Sequence, residues 1–240
     1  MKYGKFAAVY DGLMEDIPYE EYVEWVASHV SSGKLLDVAC GTGTLSQLFA
    51  EMGYDVTASD LSQDMLTIAN QRFQLANQSI PVLQLSMDQL EGLSGFDIVT
   101  VAIDSLNYLQ SEEQVQQTFK EIYHALNTGG HFFFDVHSLY KIDTVFMDSP
   151  FVYDAEEIAY IWHTEPGHTP YSVVHDMTFF VQQDQLFERF EETHEQRTFS
   201  VEVYRDWLEA AGFTVKSVTA DFSSEQPKPE SERIFFYARK

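Results

Sequence analysis

Cysteine is nearly absent. Cys40 stands alone among 240 residues, which excludes an internal disulfide and suits the reducing cytoplasm, the expected localisation. Basic residues are scarce as well: 14 Lys and Arg face 38 Asp and Glu, a formal net charge of −24. A nucleic-acid surface neutralises phosphates with clustered cations, and the chain offers only pairs such as Arg239-Lys240. Nucleic acid is therefore disfavoured as a partner, as is an anionic membrane. No apolar run reaches the ~18 residues of a membrane-crossing helix, and Met1-Lys2-Tyr3-Gly4-Lys5 holds no apolar signal core. No two histidines sit at metal-ligand spacing on one helix, so no metal is expected. The acidic runs around Glu156-Glu157 and Glu191-Glu192 read as solvated faces. With 45% apolar residues the chain can bury a full core, and residues 1–240 read as one domain carrying an insertion.

The most informative stretch is Leu35-Leu36-Asp37-Val38-Ala39-Cys40-Gly41-Thr42-Gly43-Thr44. A buried strand over residues 34–38 runs into a glycine turn. A helix follows with Leu45, Leu48, Phe49 and Met52 on one face and Gly53 as its stop. Glycine lets the backbone bend sharply against a ligand, and the helix start aims free N–H groups at it. A second strand over residues 55–58 leads to Asp60, placed to accept the hydroxyls of a ribose. Together these point to a nucleoside cofactor. A P-loop needs Gly-Lys-Ser/Thr, which Gly43-Thr44 does not supply. A dinucleotide turn needs a third glycine where Ser46 stands, so a nicotinamide-dependent oxidoreductase is the enzymatic alternative. A non-catalytic nucleoside-cofactor-binding protein is the other.

Asp37-x-Ala39-x-Gly41-x-Gly43 resembles motif I of class I S-adenosylmethionine-dependent methyltransferases, in the variant with alanine for the first glycine. Asp60-Leu61-Ser62-x-x-Met65-Leu66 resembles motif II, with Asp60 on the ribose and Leu61 or Met65 along the adenosine. Met87-Asp88 stands where the family places a residue against adenine and an acid on its exocyclic amine. Residues 96–101 resemble the fourth strand, followed by Ala102 to Asn107 beside the methyl donor. Leu126-Asn127-Thr128-Gly129-Gly130 resembles the L-x-P-G-G turn before strand five, with Thr128 replacing proline. The resemblance covers residues 33–137, the expected cofactor-binding core. It implies an α/β, Rossmann-like seven-stranded mixed sheet of order 3-2-1-4-5-7-6. It also implies S-adenosylmethionine as cofactor and S-adenosylhomocysteine as product. The cofactor residues it implies are Asp37, Ala39, Cys40, Gly41, Gly43, Asp60, Leu61, Met65, Met87, Asp88, Ala102 and Asn107. Tyr10 joins them, since similar enzymes begin with a Tyr-Asp segment that folds over the cofactor. For Cys40 the expected role is a small packed residue, because no basic partner would activate a thiol.

After His137 the pattern changes. Residues 158–162, 173–181 and 186–199 read as strands rich in β-branched and aromatic residues, separated by turns at 166–170 and 182–185. They form an expected antiparallel β lid over residues 150–200, inserted between strand five and the next helix. Family resemblance places such a lid over the substrate mouth and sometimes at a homodimer interface. Residues 201–240 supply a last helix and the final two strands. The expected reaction moves a methyl group to an O, N or C atom of a small-molecule acceptor by in-line displacement, with proximity as the main catalytic effect. A base is needed only if the acceptor arrives protonated. The catalytic candidates are His137, Tyr108 and Asp104, at the carboxyl ends of strands four and five, where open α/β sheets bind ligands.

Overall fold

The computed structural model describes residues 17–240; Tyr10 and the expected Tyr-Asp segment lie outside the described residues. Chain order is α1 (Tyr19–Ala27), β1 (Lys34–Val38), α2 (Thr44–Glu51), β2 (Asp55–Asp60), α3 (Gln63–Leu75), β3 (Val82–Gln84) and β4 (Phe96–Val101). There follow a 3-10 turn (Ser105–Tyr108), α4 (Glu112–Ala125) and β5 (Leu126–His137). Strands β6 (Phe151–Asp154), β7 (Ile158–Pro166), β8 (Ser172–Gln183) and β9 (Leu186–Arg197) come next, then α5 (Val201–Ala210), β10 (Thr214–Ala220) and β11 (Arg233–Arg239).

Seven strands form one sheet in the order β3-β2-β1-β4-β5-β11-β10. Renumbering its last two strands as six and seven gives the expected 3-2-1-4-5-7-6. The first five run parallel, and β11 lies antiparallel to β5 with Arg233 opposite His137. Parallel strands covered on both faces read as continuous apolar runs, and the side chains divide by parity. Leu36, Val38, Phe132 and Phe134 join Phe119, Ile122, Tyr204 and Leu208 on one face. Leu35, Phe133 and Phe235 join Tyr22, Val26 and Phe49 on the other. Helix α4 opens with a capping box between Ser111 and Gln114, which satisfies two otherwise unpaired donors. Ser62 caps α3 by its side chain alone, accepting from Met65 N.

Three details differ from the sequence expectations. Met52 is 50% exposed, because α2 has ended at Glu51 and the residue follows the turn outward rather than the buried face. Strand β5 starts at Leu126, ahead of the glycine pair; its register with β4 slips between Phe96↔Leu126 and Ile98↔His131, so the expected turn is a bulge within a strand. The second sheet has four strands, β6-β7-β8-β9, all antiparallel. Its edge strand β6 is too short and too exposed for alternation to announce it.

The lid is tied to the carboxyl edge of the large sheet. Thr198 Oγ1 donates to the carbonyl of His137 at 2.6 Å. Asn107 bridges the two layers, accepting from His137 N at 2.8 Å and donating to the carbonyl of Arg197 at 2.8 Å. Among the described residues no helix is long and apolar enough to cross a membrane.

Candidate active site

Strand β1 pairs with β2 on one side and β4 on the other, so the chain reverses its direction of winding at β1 and β4. The loops leaving two such strands diverge and open a crevice. Its floor is the turn Ala39–Gly43. Ala39, Gly41 and Gly43 all have positive φ, at 58°, 56° and 81°, and Gly43 N-caps α2 without a side-chain cap. Asp60 braces the turn: its Oδ2 accepts from Gly41 N at 2.9 Å and its Oδ1 from Ser62 N at 2.8 Å. Burial raises the pKa of Asp60, opposed by these backbone donors.

Asp37 lies behind the turn, 1% exposed. It accepts from Ser46 Oγ at 2.5 Å and Thr100 Oγ1 at 2.9 Å, stitching β1 to α2 and β4. Burial pushes its carboxyl up to about 6 against those two hydrogen bonds. A pocket at this turn is lined by Asp37, Ala39, Cys40, Gly41, Ala102 and Ile103, among others. The Cys40 thiol is pushed well up by burial, with Asp37 and Asp60 adding to the effect, which disfavours the reactive thiolate.

Of the remaining expected cofactor residues, Met87 and Asp88 are half-buried just beyond β3, and Asp88 Oδ1 accepts from Ser86 Oγ. Met65 is buried against Phe179 of the lid. Leu61 is 67% exposed, leaving Met65 as the buried member of that pair. Asn107 is fully buried and its amide is engaged by backbone on both sides.

A second cavity of about 440 Å³ opens between the carboxyl ends of β4 and β5 and the underside of the lid. It shares Ile103 and Ser105 with the turn pocket, so the two are contiguous. All three catalytic candidates line it: Asp104 and His137 deep in the wall, Tyr108 at 47% exposure. The lid contributes Tyr160, Trp162, His175, Phe179, His194 and Gln196.

Asp104 anchors the polar wall. It and Ile103 both adopt left-handed backbone, φ 49° and 52°, a conformation that persists in such residues only where surroundings over-determine it. Asp135 does so here, accepting from Ile103 N at 2.6 Å and Asp104 N at 2.9 Å. Arg233 then clamps both acids, donating to Asp104 Oδ1 at 2.8 Å and to Asp135. Burial works against ionisation of Asp104, but His137 and Arg233 outweigh it and hold the carboxyl below its usual range. His137 Nε2 lies 3.4 Å from Asp104 Oδ2 and 3.1 Å from Gln196 Oε1. Its pKa is lowered by burial, with Asp104 opposing, so the imidazole is neutral at neutral pH. Its Nδ1 is buried and has no hydrogen-bond partner among the described residues.

Sequence reasoning missed Arg233, Asp135, Gln196, His175 and Trp162. Two signals were available. Alternation along residues 186–197 puts His194 and Gln196 on one face, and the antiparallel return of the last strand brings Arg233 opposite His137.

Comparisons with known proteins agree with this geometry. Residues 35–130 match a family described as a methyltransferase domain. YqeM of Bacillus subtilis (strain 168), a methyltransferase by name, is 46% identical over 242 residues, covering 100% of this chain and 98% of its own. An S-adenosylmethionine-dependent methyltransferase from Clostridium acetobutylicum superposes with a TM-score of 0.90 at 28% identity, covering 99% and 98% of the two chains. The fold also matches S-adenosylmethionine-bound CalS10 of Micromonospora echinaspora, TM-score 0.75 at 18% identity, over 100% and 98%.

Proposed function

Because this chain belongs to the class I S-adenosylmethionine-dependent methyltransferases, we propose that it methylates a small molecule held in the 440 Å³ cavity under the lid. His137 is the base for a protonated acceptor. The full-length relationship argues against the nicotinamide and non-catalytic alternatives. The observation that carries the base assignment is the unpartnered, buried Nδ1 of a neutral histidine on the cavity wall.

The residues at the glycine turn fit S-adenosylmethionine. Small side chains at Ala39, Cys40, Gly41 and Ala102 leave the main chain open to a ligand. Asp60 keeps acceptor capacity beyond that taken by the backbone N–H groups of Gly41, Ser62 and Leu61, enough to accept from a ribose hydroxyl. We assign Met87 and the second oxygen of Asp88 to the adenine. Asp37 stiffens the turn from behind.

When bound, the cofactor supplies a methyl group already activated on a sulfonium, so the protein has to align, desolvate and deprotonate. The apolar walls, Phe146, Phe151, Trp162 and Phe179, exclude water from the acceptor. His137 takes the acceptor's proton on Nδ1, and Asp104 stabilises the imidazolium that results.

The test is methyl transfer over a panel of small hydroxyl and amine compounds, with cofactor binding followed by calorimetry. Replacing the base, His137→Gln, is expected to lower turnover by about 10²–10⁴-fold without weakening the cofactor. Full turnover in that variant would leave proximity as the whole of catalysis. Binding of NADH in place of S-adenosylmethionine would overturn the assignment of the turn.

A further inference from the structure

His137 is one member of a buried chain of hydrogen bonds whose protons can be placed by elimination. The chain starts on the lid at Trp162, whose indole nitrogen can only donate. It lies 3.1 Å from Nδ1 of His175, so that nitrogen is an acceptor and a neutral His175 carries its proton on Nε2. Nε2 lies 3.1 Å from Oε1 of Gln196 and donates to it. At the other end, Asp104 only accepts while ionised, and Gln196 Nε2 donates to its Oδ2 at 2.9 Å. An amide has two orientations, and both ends select the same one. Oε1 of Gln196 therefore also faces Nε2 of His137, at 3.1 Å, with Asp104 Oδ2 a second acceptor at 3.4 Å. A nitrogen facing two acceptors holds the proton.

We propose that Gln196 is the positioning residue that keeps the proton of His137 on Nε2 and so leaves Nδ1 as the unprotonated, proton-accepting nitrogen. The inference rests on the reading of His137 as the base. It makes the lid part of the proton-transfer machinery as well as a cover: without β9 in place, the imidazole loses its nearer acceptor. It also gives the acceptor's proton one destination. His175 cannot take it onward, because its Nε2 is already protonated and its Nδ1 is engaged by Trp162. The charged and titratable groups around the pair are Asp104 and Tyr108 after β4, Arg233 from β11, Lys141 and Glu232 at the rim, and Tyr160, His175 and His194 from the lid.

Histidine tautomers are read directly by ¹⁵N NMR on the full chain with labelled imidazoles, assigned through His137→Gln and His175→Gln. Near neutral pH both His137 and His175 are expected as the Nε2–H form. Gln196→Glu keeps the acceptor and adds a charge at the same reach. It is expected to raise the titration midpoint of His137 by about 1 unit or more, with the acidic limb of kcat/KM moving by the same amount. An Nδ1–H form of His137 in the unsubstituted protein overturns the proposal, and that result needs no variant to fold. A midpoint and pH limb unmoved in a folded Gln196→Glu protein overturn it too. Transfer that survives His137→Gln removes the base reading instead, a failure distinguishable because the tautomers are measured without any acceptor.

Discussion

Gly43 allows the packing behind the cofactor turn to be tested quantitatively. It sits at φ +81°, and a Cβ added there would lie 2.6 Å and 2.8 Å from Cζ and Cε1 of Phe73 and 3.0 Å from Cβ of Ala69. Phe73 is 2% exposed and Ala69 fully buried, so neither has room to retreat. Gly43→Ala thus carries two costs. The left-handed backbone costs roughly 1–2 kcal/mol with a Cβ present, offset by up to about 1 kcal/mol from the less flexible unfolded chain. Overpacking against a buried ring adds about 1–3 kcal/mol. The sum is roughly 1–5 kcal/mol, a fall in Tm of about 2–20 °C for a domain of this size. Gly53 is the control: its φ is +92°, but nothing lies within 4 Å of the added Cβ. Gly53→Ala should show the backbone cost alone, about 1 kcal/mol, or about 2–4 °C. Scanning fluorimetry of the two variants side by side isolates the packing cost by difference. Because Phe73 would push α2 and its turn toward the cofactor side, Gly43→Ala should also weaken S-adenosylmethionine while Gly53→Ala does not. Equal Tm values for the two variants would refute the claim that α3 packs against the turn as described.

Asp60→Ala removes the acceptor that braces the turn and that we assign to the ribose, and is expected to weaken S-adenosylmethionine by about 10–100-fold, the range for a hydrogen bond to a charged group; calorimetric titration reads it, and an unchanged Kd would remove Asp60 from the site. Asp37 has a pKa near 6 in the folded protein against an ordinary 3.8. An acid raised on folding binds more protons in the native state, so its effect is most favourable below about pH 4 and is lost as pH rises toward 6. The Tm of Asp37→Asn minus that of the unsubstituted protein should therefore climb between pH 4 and 7, and a flat difference would contradict the burial argument. Arg233→Met strands the buried Asp104 and Asp135 without their shared cation, expected to cost about 3–5 kcal/mol; urea denaturation measures it, and adding Asp135→Asn should recover part of the loss.

The legible parts of this molecule were those whose cause is local. Leu35 to Val38, Gly41, Gly43 and Asp60 lie within one β-turn-α-β stretch, where period, glycine and acid report on one another, and β1 and β4 have the expected ends. Ser111 and Gln114 announce their capping box by spacing alone. The polar wall of the cavity is different in kind. Asp104 could be picked from a polar loop, but its partner Arg233 is 129 residues away, and Gln196 is 92 residues away. No periodicity links them; only strand pairing brings them together, β11 returning antiparallel beside β5 and β9 folding back over the carboxyl edge. The expectation for Asn107 did not include its backbone partners for the same reason. A buried amide facing a crevice reads alike whether it meets a ligand or backbone, and the backbone it meets, at His137 and Arg197, belongs to two elements whose juxtaposition is tertiary. The lid shows where local reading stops being sufficient. Alternation assigns Gln196 and His194 to a common face, and a β-sheet gives that face two candidate environments, solvent or cavity. Which one is realised depends on how β5 hands the chain to the lid and how Thr198 fastens its exit to His137. The glycine turn and Asp60 are thus written in one contiguous segment, whereas the polar cavity wall is assembled from separate strands.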